Sequence, residues 1–109
     1  MTEYVPDNWV VIFLDVPEPH YRVLAGWSGG YLSGSSWKLN SGITKVEEDG
    51  DYYLFHGSSG SIYKCYKESY CLRNNNAYIW EQLKSRYKDD VQMLNEDTNW
   101  SQIDWIIDK

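Results

Sequence analysis

An α+β fold is expected here: a small antiparallel, strongly bent β-sheet or partial barrel, with one amphipathic helix packed on it. Three features of the sequence lead there. Short runs rich in β-branched and aromatic residues recur from Trp9 to Lys67, separated by Pro, Gly and Asp-Gly breaks. One later segment, residues 77–88, repeats its apolar side chains at helical spacing. The 109 residues suit one domain with a real core and leave no room for a second, so 1–109 is read as a single domain.

The elements follow in order. Trp9-Val-Val-Ile-Phe-Leu-Asp-Val16 is apolar on both faces, which marks a central strand. Val11 and Phe13 should face one side, and Val10, Ile12 and Leu14 the other. Pro17-Glu18-Pro19 breaks the run, leaving His20 in a turn. The chain then returns through Ser28 as the second strand of a hairpin, with Tyr21, Val23, Ala25 and Trp27 on one face. From Gly26 to Trp37, four glycines alternate with three large aromatics. That pattern suits an irregular strand crossing packed by its own rings, or a lining that lets a ligand come close.

Trp37 to Asn40 and Ile43 to Glu48 read as short strands. Asp49-Gly50 supplies the positive φ of a tight turn. Tyr52 to His56 and Ser61 to Lys67 continue the series on either side of Gly57-Ser-Ser-Gly60. Asn74, Asn75 or Asn76 can cap the helix. Its apolar stripe is Ile79, Trp80, Leu83 and Tyr87, with Glu81, Lys84, Ser85 and Lys88 opposite. Beyond Thr98 the tail fits either a helix or a strand.

Composition narrows the function. A net charge of −6 argues against a surface that wraps duplex nucleic acid. No apolar run approaches the length of a membrane span, and Met1 to Asn8 lacks the basic start and apolar stretch of a signal peptide. A cytoplasmic protein is therefore expected. Cys65, Cys71, His20 and His56 form no close pairs, so neither a disulfide framework nor a metal site is expected, and Cys65 reads as a small core residue. The acidic run Glu47, Glu48, Asp49, Asp51 lacks the spacing and closing Glu of a calcium loop and reads as a solvated turn. No phosphate loop, dinucleotide fingerprint or nucleophile elbow occurs, and no cofactor is implied. The chain is not expected to be an enzyme.

Charge is unevenly spread. Between Ser61 and Lys88, six basic residues against two acidic ones give +4, while four basic and fourteen acidic residues elsewhere give −10. The basic stretch also carries Tyr63, Tyr66, Tyr70, Tyr78, Trp80 and Tyr87. Cations interleaved with aromatics suit a ligand that has phosphate and a flat base. Arg22, Lys64, Lys67 and Arg73 are the candidates to hold phosphate oxygens. Trp27, Tyr31, Trp37 or Tyr66 would stack on a base. On a strand, Lys64 and Tyr66 share one face, whereas Lys67 falls on the other with Tyr63 and Cys65.

The stretch from Arg22 through Ala25-Gly-Trp-Ser-Gly-Gly-Tyr31 and Trp37-Lys-Leu-Asn-Ser-Gly-Ile43, followed by Gly60-Ser-Ile-Tyr-Lys-Cys-Tyr-Lys67 and Ser69-Tyr70, resembles small proteins of tailed-phage genomes that carry no assigned activity. The likeness covers roughly residues 5 to 75. It implies a viral protein acting in the host cytoplasm. The expectation that follows is a counter-defence protein that binds and sequesters a nucleotide-type immune signal without catalysis. The alternatives are an acidic inhibitor of a host defence or nucleic-acid-binding protein, and a minor virion or assembly component. A homo-oligomer is also expected, because Trp100, Ile103, Trp105, Ile106 and Ile107 crowd the tail and a small domain should not hide all of them.

Overall fold

The apolar run that begins near Trp9 becomes the middle of a layered molecule. The computed structural model describes residues 2–15, 18–30 and 34–105. Its strands are β1 (Glu3–Tyr4), β2 (Asn8–Leu14), β3 (His20–Gly30), β4 (Gly34–Leu39), β5 (Ile43–Asp49), β6 (Tyr52–Gly57), β7 (Ile62–Tyr66) and β8 (Val91–Met93), with helix α1 (Ala77–Tyr87) between the last two. The fold is α+β. The strands form two open four-stranded sheets, ordered β1-β7-β6-β5 and β4-β3-β2-β8. The bent sheet expected from the sequence is thus realised as two facing sheets.

Each strand of the hairpin series sits where its pattern put it. β2 and β3 pair antiparallel, with Val11 opposite Val23. Val11, Val23 and Ala25 face the other sheet and pack with Phe55, Tyr63 and Cys65. Val10, Ile12, Leu14 and Leu24 face the helix and pack with Ile79, Trp80, Leu83 and Tyr87. β2 is therefore covered on both faces, as its double-sided apolarity requires. Gly50 turns β5 into β6 with φ +60°. Two short strands escape the sequence pattern: β1 pairs parallel with β7, and β8 pairs antiparallel with β2.

The helix start differs from the expectation. Asn76 holds the N-cap position, but its side chain makes no cap hydrogen bond. Instead its Oδ1 accepts from Arg73 N at 2.9 Å and its Nδ2 donates to Leu24 O at 3.2 Å. Asn75 Nδ2 donates to Asn8 Oδ1 at 2.7 Å, and Asn8 Nδ2 reaches Cys71 O at 3.1 Å. These three buried amides bolt the helix entry to sheet β4-β3-β2-β8. Gly26 makes room for them, because a Cβ there would lie 2.1 Å from Asn75 Oδ1.

The tail corrects a second expectation. Trp100 is 2% exposed and Trp105 is 8% exposed, and Ile103 packs beside them. Asn99 caps the segment as anticipated, but for a single 3-10 turn, Trp100–Gln102, rather than a full helix or a strand. The indoles close the space between the sheets, with Trp100 5.9 Å from Trp9 and Trp105 5.1 Å from Tyr21. They are core, so they no longer argue for an exposed oligomer patch. Ile106 and Ile107 lie outside the described residues.

Candidate functional site

The eight sequence-designated residues are dispersed. Lys64 and Tyr66 share the outer face of sheet β1-β7-β6-β5, as their spacing required. Their cross-strand neighbour is Tyr52, whose ring centroid is 5.6 Å from that of Tyr66 and 4.7 Å from Lys64 Nζ. Lys67 begins a 3-10 turn beyond β7 and donates to Glu48 Oε2 at 2.5 Å, with its ammonium 5.0 Å from the Tyr53 centroid. The hydrogen bond to Glu48 raises the Lys67 pKa, so this cation is already matched. Trp27 donates to Val5 O at 3.0 Å and meets Tyr4 edge-on. Trp37 stands exposed on edge strand β4, opposite Gly26. Arg73 is exposed in the loop before α1. Tyr31 lies outside the described residues.

Arg22 alone among them lines a substantial cleft, one of about 490 Å³. The topology makes it. Edge strand β4 gives its last rung at Leu39, opposite Leu24, and Asn40 then adds a final pair of bonds to Val23. The β4–β5 loop swings away here, so β3 runs uncovered from Arg22 back to His20. By the alternation of an antiparallel ladder, the Tyr21 N–H and C=O point the same way as those of Val23, past the last rung. Ser41, Gly42, Ile43 and Thr44 form the facing wall, Ser58 one rim, Glu18 and Pro19 another, and Trp105 lines the interior side.

Arg22 is held rather than loose. His20 Nδ1 lies 2.7 Å from Glu18 O, so this nitrogen carries the proton. Its Nε2 accepts from Arg22 Nε at 3.0 Å. The neutral imidazole thus orients the guanidinium through one nitrogen and leaves the terminal N–H groups for other acceptors. Among the described residues no carboxylate lies within 4.0 Å of Arg22. A fixed cation, three hydroxyl side chains and an indole fit a small molecule with an anionic group and a ring.

Beside the cleft, the β4–β5 and β6–β7 loops are clipped together by hydroxyls. Ser41 Oγ accepts from Ser59 N at 3.0 Å, and Ser58 N donates to Gly42 O at 2.8 Å. Asn40 is 2% exposed; its Oδ1 accepts from Val23 N, and its Nδ2 has no partner.

The sequence reading reached Arg22 and missed the rest of the cleft. His20 two residues before Arg22 on a strand was a usable signal for a shared face. The small hydroxyl-rich loops at Ser41-Gly42 and Ser58 were another. Trp105 could not be assigned, since nothing local says which of six tryptophans ends beside a cleft. Among the described residues no cluster of three or more His, Cys, Asp or Glu could hold a metal ion, and no helix is long and apolar enough to cross a membrane. In comparisons with known proteins, the chain matches no family model, no curated protein and no solved structure.

Proposed function

We propose that this chain is a non-catalytic binding protein that captures a small nucleotide-type anion in the cleft at Arg22. The observation that carries the reading is the guanidinium fixed by His20 at the mouth of a cleft ringed by Ser41, Thr44 and Ser58, with Trp105 as an aromatic surface. The arrangement favours holding over reaction. Both ring nitrogens of His20 are engaged, and His56 Nε2 is bonded to Glu47 at 2.5 Å, so neither imidazole is poised as a base for a cleft hydroxyl. In the tailed-phage setting that the sequence resembles, such capture would withdraw a nucleotide immune signal from the host. The competing reading, an acidic surface offered to a basic protein, is weakened because Glu47 and Glu48 are already matched by His56 and Lys67.

Titration calorimetry of the intact chain against cyclic dinucleotides, mononucleotides and ADP-ribose tests this. At least one should bind with one site per chain. Arg22→Gln should weaken that binding by about ten- to a hundred-fold, the range for losing charge-assisted hydrogen bonds of about 1.5–3 kcal/mol. Arg73→Gln, out in the loop, should bind as the parent does. Parent-like binding by Arg22→Gln, together with loss in Lys64→Gln, would move the site to the outer sheet face and end the cleft assignment. Silence across the panel would end the nucleotide reading.

A further inference from the structure

We propose that the outer face of sheet β1-β7-β6-β5 is an interface between two copies of this chain, independent of the cleft and sharing no residue with it. Sheet β4-β3-β2-β8 is covered on both faces, by the other sheet and by α1. The outer face of β1-β7-β6-β5 is covered by no element among the described residues. Its side chains Tyr52, Leu54, Ile62 and Tyr66 belong to neither hydrophobic core, and Tyr66 is 39% exposed.

The register gives this face a specific pattern. Across β7, β6 and β5 one row reads Tyr66, Tyr52, Asp49, the next Lys64, Leu54, Glu47, and the third Ile62, His56, Lys45. The apolar and aromatic side chains run down the middle and the β7 side, Lys64 stands on one flank, and Glu47 and Asp49 stand on the other. Lys45 and Lys64 balance Glu47 and Asp49, so the three rows carry no net charge with the imidazole neutral. A surface of that kind repels neither itself nor a partner of balanced charge, and it offers no continuous basic track for a nucleic-acid strand.

A second copy fits this pattern through a two-fold axis lying between the sheets and parallel to β6. That operation sets β7 of one copy over β5 of the other. Lys64 then faces Glu47 of the second copy, Tyr66 faces Asp49, and Leu54 meets its own equivalent at the centre. The interface is isologous, each copy giving what the other takes. Sheets stacked face to face stand about 10 Å apart with strands nearly aligned, which suits side chains of this length. The face is small. Four strands about 4.8 Å apart and five residues of about 3.4 Å each span roughly 15 by 17 Å, below the standard interface, so a weak, micromolar dimer is expected.

Sedimentation velocity of the full chain over a series reaching roughly 100 µM, where an interface of this size associates, should show a species at twice the 12.8 kDa chain mass. Leu54→Asp at the centre and Lys64→Glu on the flank should each leave a monomer, with circular dichroism and melting unchanged from the parent. Lys64→Glu combined with Glu47→Lys should restore the dimer, because the swap exchanges the two charges that meet. A parent that stays monomeric throughout overturns the proposal. So does a dimer that survives Leu54→Asp, which would place the contact elsewhere. Failure of the double swap to restore association overturns the two-fold placement of Lys64 over Glu47.

Discussion

Tyr70 joins three parts of the chain through one hydroxyl. The oxygen accepts from Val11 N at 3.1 Å and donates to Leu94 O at 2.5 Å, while the ring meets Trp9 edge-on at 4.7 Å. Burial pushes its pKa up from 10.0 to about 12, since the phenolate would lose its hydration. Burial does the same to Tyr63. The sign of the consequence is fixed. Between pH 10 and 12 the unfolded chain releases these protons and the folded chain keeps them, so stability is intact below pH 10 and falls as pH rises through that window. For Tyr70 the loss should approach roughly 2 kcal/mol, at 1.36 kcal/mol per pK unit and discounted for its partly exposed ring. Urea titrations at pH 9 and pH 11.5 measure it. Tyr70→Phe should be less stable at pH 9, for want of its hydrogen bonds, yet show a shallower decline. An equally steep decline in that variant would assign the alkaline loss to other groups. At this scale the sequence was partly legible. Period two placed Lys64 and Tyr66 on one face, but the partners of Lys67, Asn76 and Tyr70 come from segments 19 to 59 residues away, and no local pattern reports them.

The elements divide by length. β2, β3 and α1 each span at least seven residues, long enough for alternation or helical spacing to show. β1 has two residues and β8 three, too few for any period, and they exist because β7 and β2 offer open edges. The C-terminal segment is hardest to read, because its regular structure is a single turn and its importance lies in packing. Trp100 contacts Trp9, Tyr53, Phe55, Tyr70 and Trp105, which makes this turn the closing piece of the inter-sheet core. Trp100→Ala should therefore destabilise the fold by about 3–5 kcal/mol, the range for emptying a buried indole site. Trp37→Ala, on an exposed edge, should cost less than about 1 kcal/mol. Denaturant midpoints of the two variants give the comparison. Equal, small losses would mean that the tail leaves the core without consequence, and would return its tryptophans to the surface.

Across the whole molecule, sheet β4-β3-β2-β8 is the middle of three layers, and β2 lies inside that sheet. Both of its faces are buried, and the edge turned from β3 is bonded along its length. Trp9 O takes Cys71 N at 3.1 Å, Val11 N donates to Tyr70 Oη, Val11 O takes Leu94 N at 2.9 Å, and β8 continues the ladder to Leu14. No partial opening frees this strand without separating a sheet from the helix or from the other sheet. Its amides should consequently exchange with solvent only by global unfolding, at the full stability of a domain this size, about 5–15 kcal/mol. β4 and β5 are edge strands, and β5 carries Lys45, Glu47, Glu48 and Asp49 into water, so their outward amides should exchange through local opening, orders of magnitude faster. Helix α1 should fall between the two. It covers one face of the sheet and, by the contacts of its apolar stripe, is held mainly by Ile79, Trp80, Leu83 and Tyr87, so it can lift away while the two sheets stay together. Amide exchange followed by NMR on the native chain orders these elements directly. Amides of α1 or β5 that outlast those of β2 would mean that the cooperative centre lies outside the middle layer, and the account of the apolar run around Val11 as the hub of the fold would fall.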